Sequence, residues 1–196
     1  LLYASHSKIY VNKSTEPILM TAAEVWFLRA EAALRGWTSE DAGYNYRQGV
    51  SASFIQWGAS GPEDYLQSDR TGADYVDAFD SSNDIKARCK VSPKWIDTAS
   101  NEIKLEKIIT QKWLAVFPEG CEAWAEQRRT GYPRLFPVKI NNSKDGCIDT
   151  EIMIRRLNFP SDIIDTDVDL YNSLVNRLEG PDNAGTRVWW DKGYNF

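Results

Sequence analysis

The side chains best able to do chemistry in this sequence are carboxylates and aromatic rings. Glu24 and Glu31 fall two helical turns apart in an Ala-rich stretch, which on a helix puts them on one face about 10 Å apart. Paired carboxylates at roughly 5–9.5 Å across a cleft perform glycoside hydrolysis. The spacing is marginal for that, and a packing helix is a poor site for it. Glu119, Glu122 and Glu126 cluster more tightly. A helix start accounts for them, because carboxylates are stabilised there and Glu126 can pair with Arg129. Neither set is expected to be catalytic. His6 is the single histidine, and no G-x-S-x-G, GxGxxG or P-loop pattern occurs, so triad, dinucleotide and nucleotide chemistry have no motif. Asp162, Asp165, Asp167 and Asp169 lack the glycine and terminal Glu of a calcium loop and read as acids at the start of a last helix. Cys89, Cys121 and Cys147 are widely spaced with no CxxC or Cys/His cluster. No metal site and no cofactor is expected, and the thiols should be buried or inert.

Rings are the remaining resource, with eight Trp, nine Tyr and seven Phe. A sugar stacks its apolar face on such a ring while neighbouring polar groups bond its hydroxyls. Apolar stripes at helical spacing assign Trp26, Phe54, Trp57, Trp113 and Trp124 to the core. Tyr65, Tyr75, Trp95 and Tyr194 fall on irregular segments and are freer. Trp95 has Lys94 and Asp97 beside it. The candidate ligand-binding residues are therefore Trp95, Tyr65, Tyr75 and Asp97; the alternative for each ring is packing under its own loop. The net charge of −5 argues against nucleic acid, whose binding needs basic side chains at phosphates. The arginine pairs at 128–129 and 155–156 have acids to offset them, Glu126 for Arg129 and Glu151 for Arg155. No apolar run approaches the ~20 residues of a membrane span.

These side chains need elements to hold them. The chain has 196 residues, 42% hydrophobic and 26% charged, enough for one globular domain with a sizeable core. Residues 1–19 read as extended, with Tyr3, Ile9, Tyr10 and Val11 strand-like. Thr21 and Glu24 form a capping box opening a helix that runs to about Arg35 and stops at Gly36. Ser39 is the expected N-cap of the next helix, with Tyr46, Val50, Phe54 and Trp57 on its apolar face. The short link makes the two helices antiparallel neighbours. Residues 59–99 form an irregular insertion, in which Pro62 opens a short helix and Tyr75, Val76 and Phe79 suggest another. Ser100 caps a helix carrying Leu105, Ile108, Ile109, Trp113, Val116 and Phe117. Pro118 and Gly120 interrupt, a second helix follows from about Cys121 to Thr130, and Gly131 ends it. The loop and tail span 132–196. Within them RRLNFP is extended, Asp167 to Leu178 is helical, and Trp189 and Trp190 dock the tail. The fold class is mainly α, a single domain of helical hairpins with long irregular loops: a helical pair at 21–58, the insertion, and a helical hairpin at 100–131.

Three stretches carry a resemblance. QKWLAVFPEGCEAWAEQRRTGYP resembles a signature near the C-terminus of SusD-like (SusD/RagB) proteins of the Bacteroidetes. ILMTAAEVWFLRAEAALRGW resembles the family's Ala-rich helix, and TRVWWD its usual ending. RRLNFP also resembles the family's RR-x-x-(aromatic)-P segment, although SDIIDTDVD replaces the Glu and Asn that often follow. The resemblance implies a tetratricopeptide-like helical fold and a non-catalytic surface lipoprotein. Such a protein binds glycan or another nutrient and covers a SusC-type TonB-dependent transporter at the outer membrane. It also implies that this chain is the C-terminal part of a longer protein, with the lipid anchor on a segment preceding Leu1. Two alternatives stay open: a helical glycoside hydrolase using Glu31 or Glu122, and a tetratricopeptide-type adaptor for peptides.

Overall fold

The computed structural model describes residues 13, 14, 16–143 and 147–196. The strand-like reading of residues 3–11, and His6 with it, lies outside the described residues. The fold is mainly α and tetratricopeptide-like, with long irregular loops. Among the described residues the only β pairing is a single antiparallel bridge, Tyr75 to Ile85.

Helix α1 (Ala22–Leu34) starts at its expected N-cap, Thr21. The Thr21 hydroxyl accepts from the Glu24 N–H at 3.0 Å, supplying one of the orphan donors of the first turn. Gly36 follows the helix at φ +73°, a conformation glycine adopts without the cost of a Cβ. Helix α2 (Ala42–Gln56) begins two residues later than Ser39 would place it. Asp41 is its N-cap, and the Glu40 carboxylate instead takes the Arg29 guanidinium at 2.8 and 3.0 Å. α1 and α2 pack antiparallel, with Phe27 filling the gap opposite Gly49. A Cβ on Gly49 would stand 2.7 Å from the Phe27 ring, so glycine sets how closely the helices approach.

Helix α3 (Pro62–Gln67) has Pro62 at its first position, where a missing N–H is harmless. The helix suggested by Tyr75, Val76 and Phe79 does not form. The Asp77 carboxylate accepts from the backbone N–H groups of Phe79 and Asp80 at 2.9 and 3.0 Å, and this local side-chain capture competes with helix formation. Only a 3-10 turn at Ser81–Asn83 follows.

Helix α4 (Asn101–Ala115) is capped by Ser100. It places Leu105, Ile108 and Ile109 in one core with Ala23, Phe27, Ala30, Tyr46, Val50 and Leu66. Helix α5 (Gly120–Thr130) ends at Gly131, φ +78°. Phe117 and Trp57, assigned to helix faces from the sequence, lie just past the ends of α4 and α2. They are about half exposed and contact each other with ring centroids 6.0 Å apart. Helix α6 (Ser161–Thr166) is additional to the sequence reading, and α7 (Val168–Val175) is capped by Asp167.

The tail returns to the helices. Asn195 donates to Glu102 Oε1 at 2.6 Å, and its carbonyl accepts from Arg35 at 2.7 Å. Trp190 docks against the Arg128 guanidinium at 4.9 Å, whereas Trp189 is 79% exposed and does not help hold the tail. Of the three free cysteines, Cys121 is exposed rather than buried.

Candidate functional site

Of the carboxylates singled out by spacing, Glu24, Glu31, Glu122 and Glu126 are gathered with cations between α1, α4 and α5, while Glu119 is exposed. Lys112 has its side chain 2% exposed, and its Nζ donates to Glu122 Oε1 and Glu126 Oε1, both at 2.7 Å. Glu24 Oε1 stands 3.7 Å from the same ammonium. Arg129 forks onto both Glu31 oxygens at 2.7 Å and reaches Glu126 Oε2 at 2.6 Å. Arg35 adds a bond to Glu31 Oε1 at 2.8 Å. Burial opposes the charge on Glu31, but Arg129 and Arg35 outweigh it and hold the carboxyl below the ordinary glutamate range. Burial likewise opposes the charge on Lys112, and Glu126 and Glu122 outweigh it, raising the ammonium above the ordinary lysine range. Four carboxylates and three cations thus form one chain of ion pairs, from Glu24 through Lys112 and Arg129 to Arg35. Glu126 links Lys112 to Arg129, so α5 is fastened to α4 and α1 by the same side chain.

The four predicted ligand residues occupy different settings. Trp95 is half-buried. Its ring lies 5.1 Å from that of Tyr46 and so close to α2 that a Cβ on Gly43 would stand 2.5 Å from the indole nitrogen. Its N–H donates to Asp97 Oδ1 at 2.9 Å, and Asp97 itself is exposed. Tyr65 lines a cleft of about 180 Å³ with Phe27, Phe54, Gln111 and Leu114. Its hydroxyl shares hydrogen bonds with the Gln111 amide at 2.9 and 3.1 Å, and burial raises its phenol above the ordinary tyrosine range. Tyr75 is half exposed and held by its bridge to Ile85. The structure therefore unites Trp95 with Asp97, while Tyr65 and Tyr75 keep partners of their own.

A larger concavity lies where the sequence showed only loops. Past α5 the chain runs extended through Arg134–Val138 and returns through Thr150–Arg155, with Val138 N–H donating to the Thr150 carbonyl at 3.0 Å. Between these runs and α5 is a cleft of about 470 Å³. The arginines behind it are paired differently from the sequence expectation. Glu151 takes Arg88, not Arg155. Arg155 is buried against Asp191, and Arg156 against Asp182. Burial opposes the Asp191 charge, but Arg155 outweighs it and keeps the carboxyl below its ordinary range. These partners lie more than twenty residues ahead, so nothing local signalled them. The signals that were available are the extended RRLNFP and its flanking prolines, which confine this part of the chain to open conformations.

The scaffold is one of helical hairpins with ion-paired helices and clefts between long loops. The chain belongs to the SusD-like family of Susd and RagB outer membrane lipoproteins, whose model matches residues 1–191. Among solved structures it is similar to a SusD homologue from Bacteroides vulgatus, with 52% identity, TM-score 0.81, and coverage of 93% of this chain and 37% of that one. It is also similar to a chitin-binding SusD homologue from Flavobacterium johnsoniae, with 49% identity, TM-score 0.79, and coverage of 91% and 37%. A SusD homologue from Bacteroides thetaiotaomicron shows 39% identity, TM-score 0.82, and coverage of 94% and 40%. The chain thus spans well under half the length of these relatives. Comparison with curated proteins gives no match. No helix among the described residues is long and apolar enough to cross a membrane.

Proposed function

We propose that this chain is part of a non-catalytic, cell-surface glycan-binding protein at the outer membrane. In this reading it hands oligosaccharide to a SusC-like TonB-dependent transporter and is tethered to the membrane by a lipid. The observation that carries the reading is membership in the SusD-like family, together with 49% identity to a chitin-binding member. Two further features support it. The carboxylates that most resemble a hydrolase pair are tied to cations, and Glu31, held below its ordinary range by Arg129 and Arg35, is a poor proton donor at neutral pH. The exposed face of Tyr75 and the indole of Trp95, oriented by Asp97, are of the type that stacks on sugar rings. Tyr65 contributes through its cleft.

The test is calorimetry or affinity electrophoresis of the full-length protein against a panel of oligosaccharides that includes chitin fragments, with chromatography of the glycan afterwards. At least one glycan should bind and be recovered intact, and Trp95→Ala should weaken its binding. Release of shorter sugars would replace the binding reading by the hydrolase one. Absence of any binding would end the glycan reading. Co-purification of a TonB-dependent transporter from detergent-solubilised outer membranes tests the partnership; recovery without one would remove it.

A further inference from the structure

Trp95 sits in a stretch with no regular structure of its own. Residues 86–99 form neither helix nor strand, so the orientation of the indole has to come from elsewhere. Two side chains on helices supply it. The Tyr46 hydroxyl, on α2, donates to the Pro93 carbonyl at 2.6 Å. The Lys107 ammonium, on α4, donates to the adjacent Ser92 carbonyl at 2.6 Å and to the Ser92 hydroxyl at 3.4 Å. Two consecutive carbonyls just ahead of Trp95 are thus gripped from two different helices. Past Trp95, Ser100 caps α4 and closes the segment.

Lys107 is an unusual residue for that place. It is 3% exposed, and among the described residues its hydrogen bonds go to Ser92 alone. Burial holds the ammonium below the ordinary lysine range, while Asp69, Cys89 and Glu106 act in the opposite sense. A buried ammonium without a paired carboxylate is costly, and an apolar side chain would fill the same space. What the charge adds is a bond stronger than a neutral one, made to the backbone that leads to Trp95. Tyr46 acts twice. Besides its bond to Pro93, its fully buried ring lies 5.1 Å from the indole. Asp97 takes the indole N–H at 2.9 Å. Backbone, ring and N–H are each fixed by a different group, while part of the indole stays open to solvent. A ring held in this way meets a ligand without first losing the freedom that binding otherwise removes.

We infer that Lys107 and Tyr46 are positioning residues for a sugar-stacking platform made by Trp95 and Asp97. They touch no ligand; by gripping Ser92 and Pro93 they hold the indole in one orientation before a sugar arrives. The inference rests on the glycan-binding reading above and adds the groups through which two helices set the geometry of a loop site.

The experiment is calorimetric titration of the full-length protein with N-acetylglucosamine oligomers and the other oligosaccharides of the panel. The proteins compared are wild type, Lys107→Met, Tyr46→Phe, Trp95→Ala, and each grip variant combined with Trp95→Ala. Lys107→Met removes the charge and keeps a chain of similar length, and Ser92 is only half-buried, so water can take the freed carbonyl. Tyr46→Phe keeps the ring and removes the hydroxyl. Titrations are run well below every melting temperature, so that lost stability is not read as lost affinity. Each grip variant should bind the glycan about threefold to tenfold more weakly than wild type. In the Trp95→Ala background neither should weaken binding further, because both act through that ring. Near-ultraviolet circular dichroism gives a readout that needs no ligand: Lys107→Met should change the spectrum, and most of that change should vanish in a Trp95→Phe background. Wild-type affinity in both grip variants, beside a weaker Trp95→Ala, overturns the positioning role and leaves the glycan reading standing. Full additivity with Trp95→Ala, or a dichroism change that persists undiminished in Trp95→Phe, overturns it too. Unchanged affinity in Trp95→Ala removes platform and grips together, again without touching the glycan reading. A wild type that binds no glycan overturns both.

Discussion

Replacing Lys112 by methionine tests the ion-paired brace most directly. The ammonium is nearly fully buried and has two carboxylate oxygens at 2.7 Å. Each contact at that distance is worth roughly 6 kcal/mol of attraction at an effective dielectric of about 20. Against this stands a desolvation cost of several kcal/mol per ion, so the net value of the arrangement is small. Removing only the cation is different. Glu24 and Glu126 stay buried, Glu122 half-buried, and just Arg129 and Arg35 remain to serve four carboxylates. Breaking a buried pair in this way costs about 3–5 kcal/mol, a large share of the ~5–15 kcal/mol that holds a domain together. For a chain of this length, the melting temperature should fall by about 6–20 °C. The assay is thermal and urea unfolding of wild type, Lys112→Met, Glu126→Gln and the double variant at pH 7. The double variant should be more stable than the sum of the single losses predicts, by more than about 1 kcal/mol, because it removes an unpaired charge. A single-variant loss below 1 kcal/mol, or additivity within about 0.5 kcal/mol, would refute the reasoning.

The remaining predictions are local. Gly43→Ala drives a Cβ into the Trp95 indole; it should cost about 1–3 kcal/mol by overpacking and alter the near-ultraviolet circular dichroism, and a variant with wild-type stability and spectrum would contradict the close approach. The Tyr132 phenol is pushed up to about 12, first by burial and then by its hydrogen bond to Glu102. Absorbance titration should therefore show Tyr132 among several late-ionising tyrosines, Tyr46 and Tyr65 with it; Glu102→Gln should bring the Tyr132 step earlier while burial keeps it above the ordinary range, and an unchanged curve would remove the second cause. Glu31 has its folded pKa lowered, so its stabilising contribution is present above the unfolded value of about 4.3. That contribution is lost as pH falls through the lower, folded value. Glu31→Gln should thus flatten the acid limb of the stability profile, and an unchanged limb would show that Glu31 does not contribute to it.

What could be read from the sequence was local in cause. The Thr21 and Ser100 caps, the Gly131 stop and the Glu126–Arg129 pair each depend on residues within four positions, and each is found. Asp41, not Ser39, caps α2, and Glu40 pairs with Arg29, eleven residues away. The insertion misled because Asp77 claims two backbone N–H groups that a helix would have needed. Arg155 and Arg156 find Asp191 and Asp182 across the C-terminal loop, and neither that pairing nor the cleft behind α5 leaves a periodic trace. The candidate site was legible only as a class of residue. Aromatic rings on irregular segments can be named from the sequence, but which of them face a cavity depends on how the loops close.

The acids of α1 and α5 show why sequence proximity to an enzyme pattern is weak ground for a reaction. A general acid must hold its proton near neutral pH, which requires a raised carboxyl pKa. Glu31 is shifted the opposite way, by a forked guanidinium that also blocks both its oxygens. Freeing it for catalysis would require Arg129 to leave, and Arg129 also holds Glu126, which holds Lys112. One substrate-induced movement would therefore unfasten three helices. The same coupling suits a receptor, because it fixes the helices from which the loops of residues 59–99 are hung. In the receptor proposed above, a ligand would bind without first ordering the scaffold, a saving in conformational entropy that favours affinity.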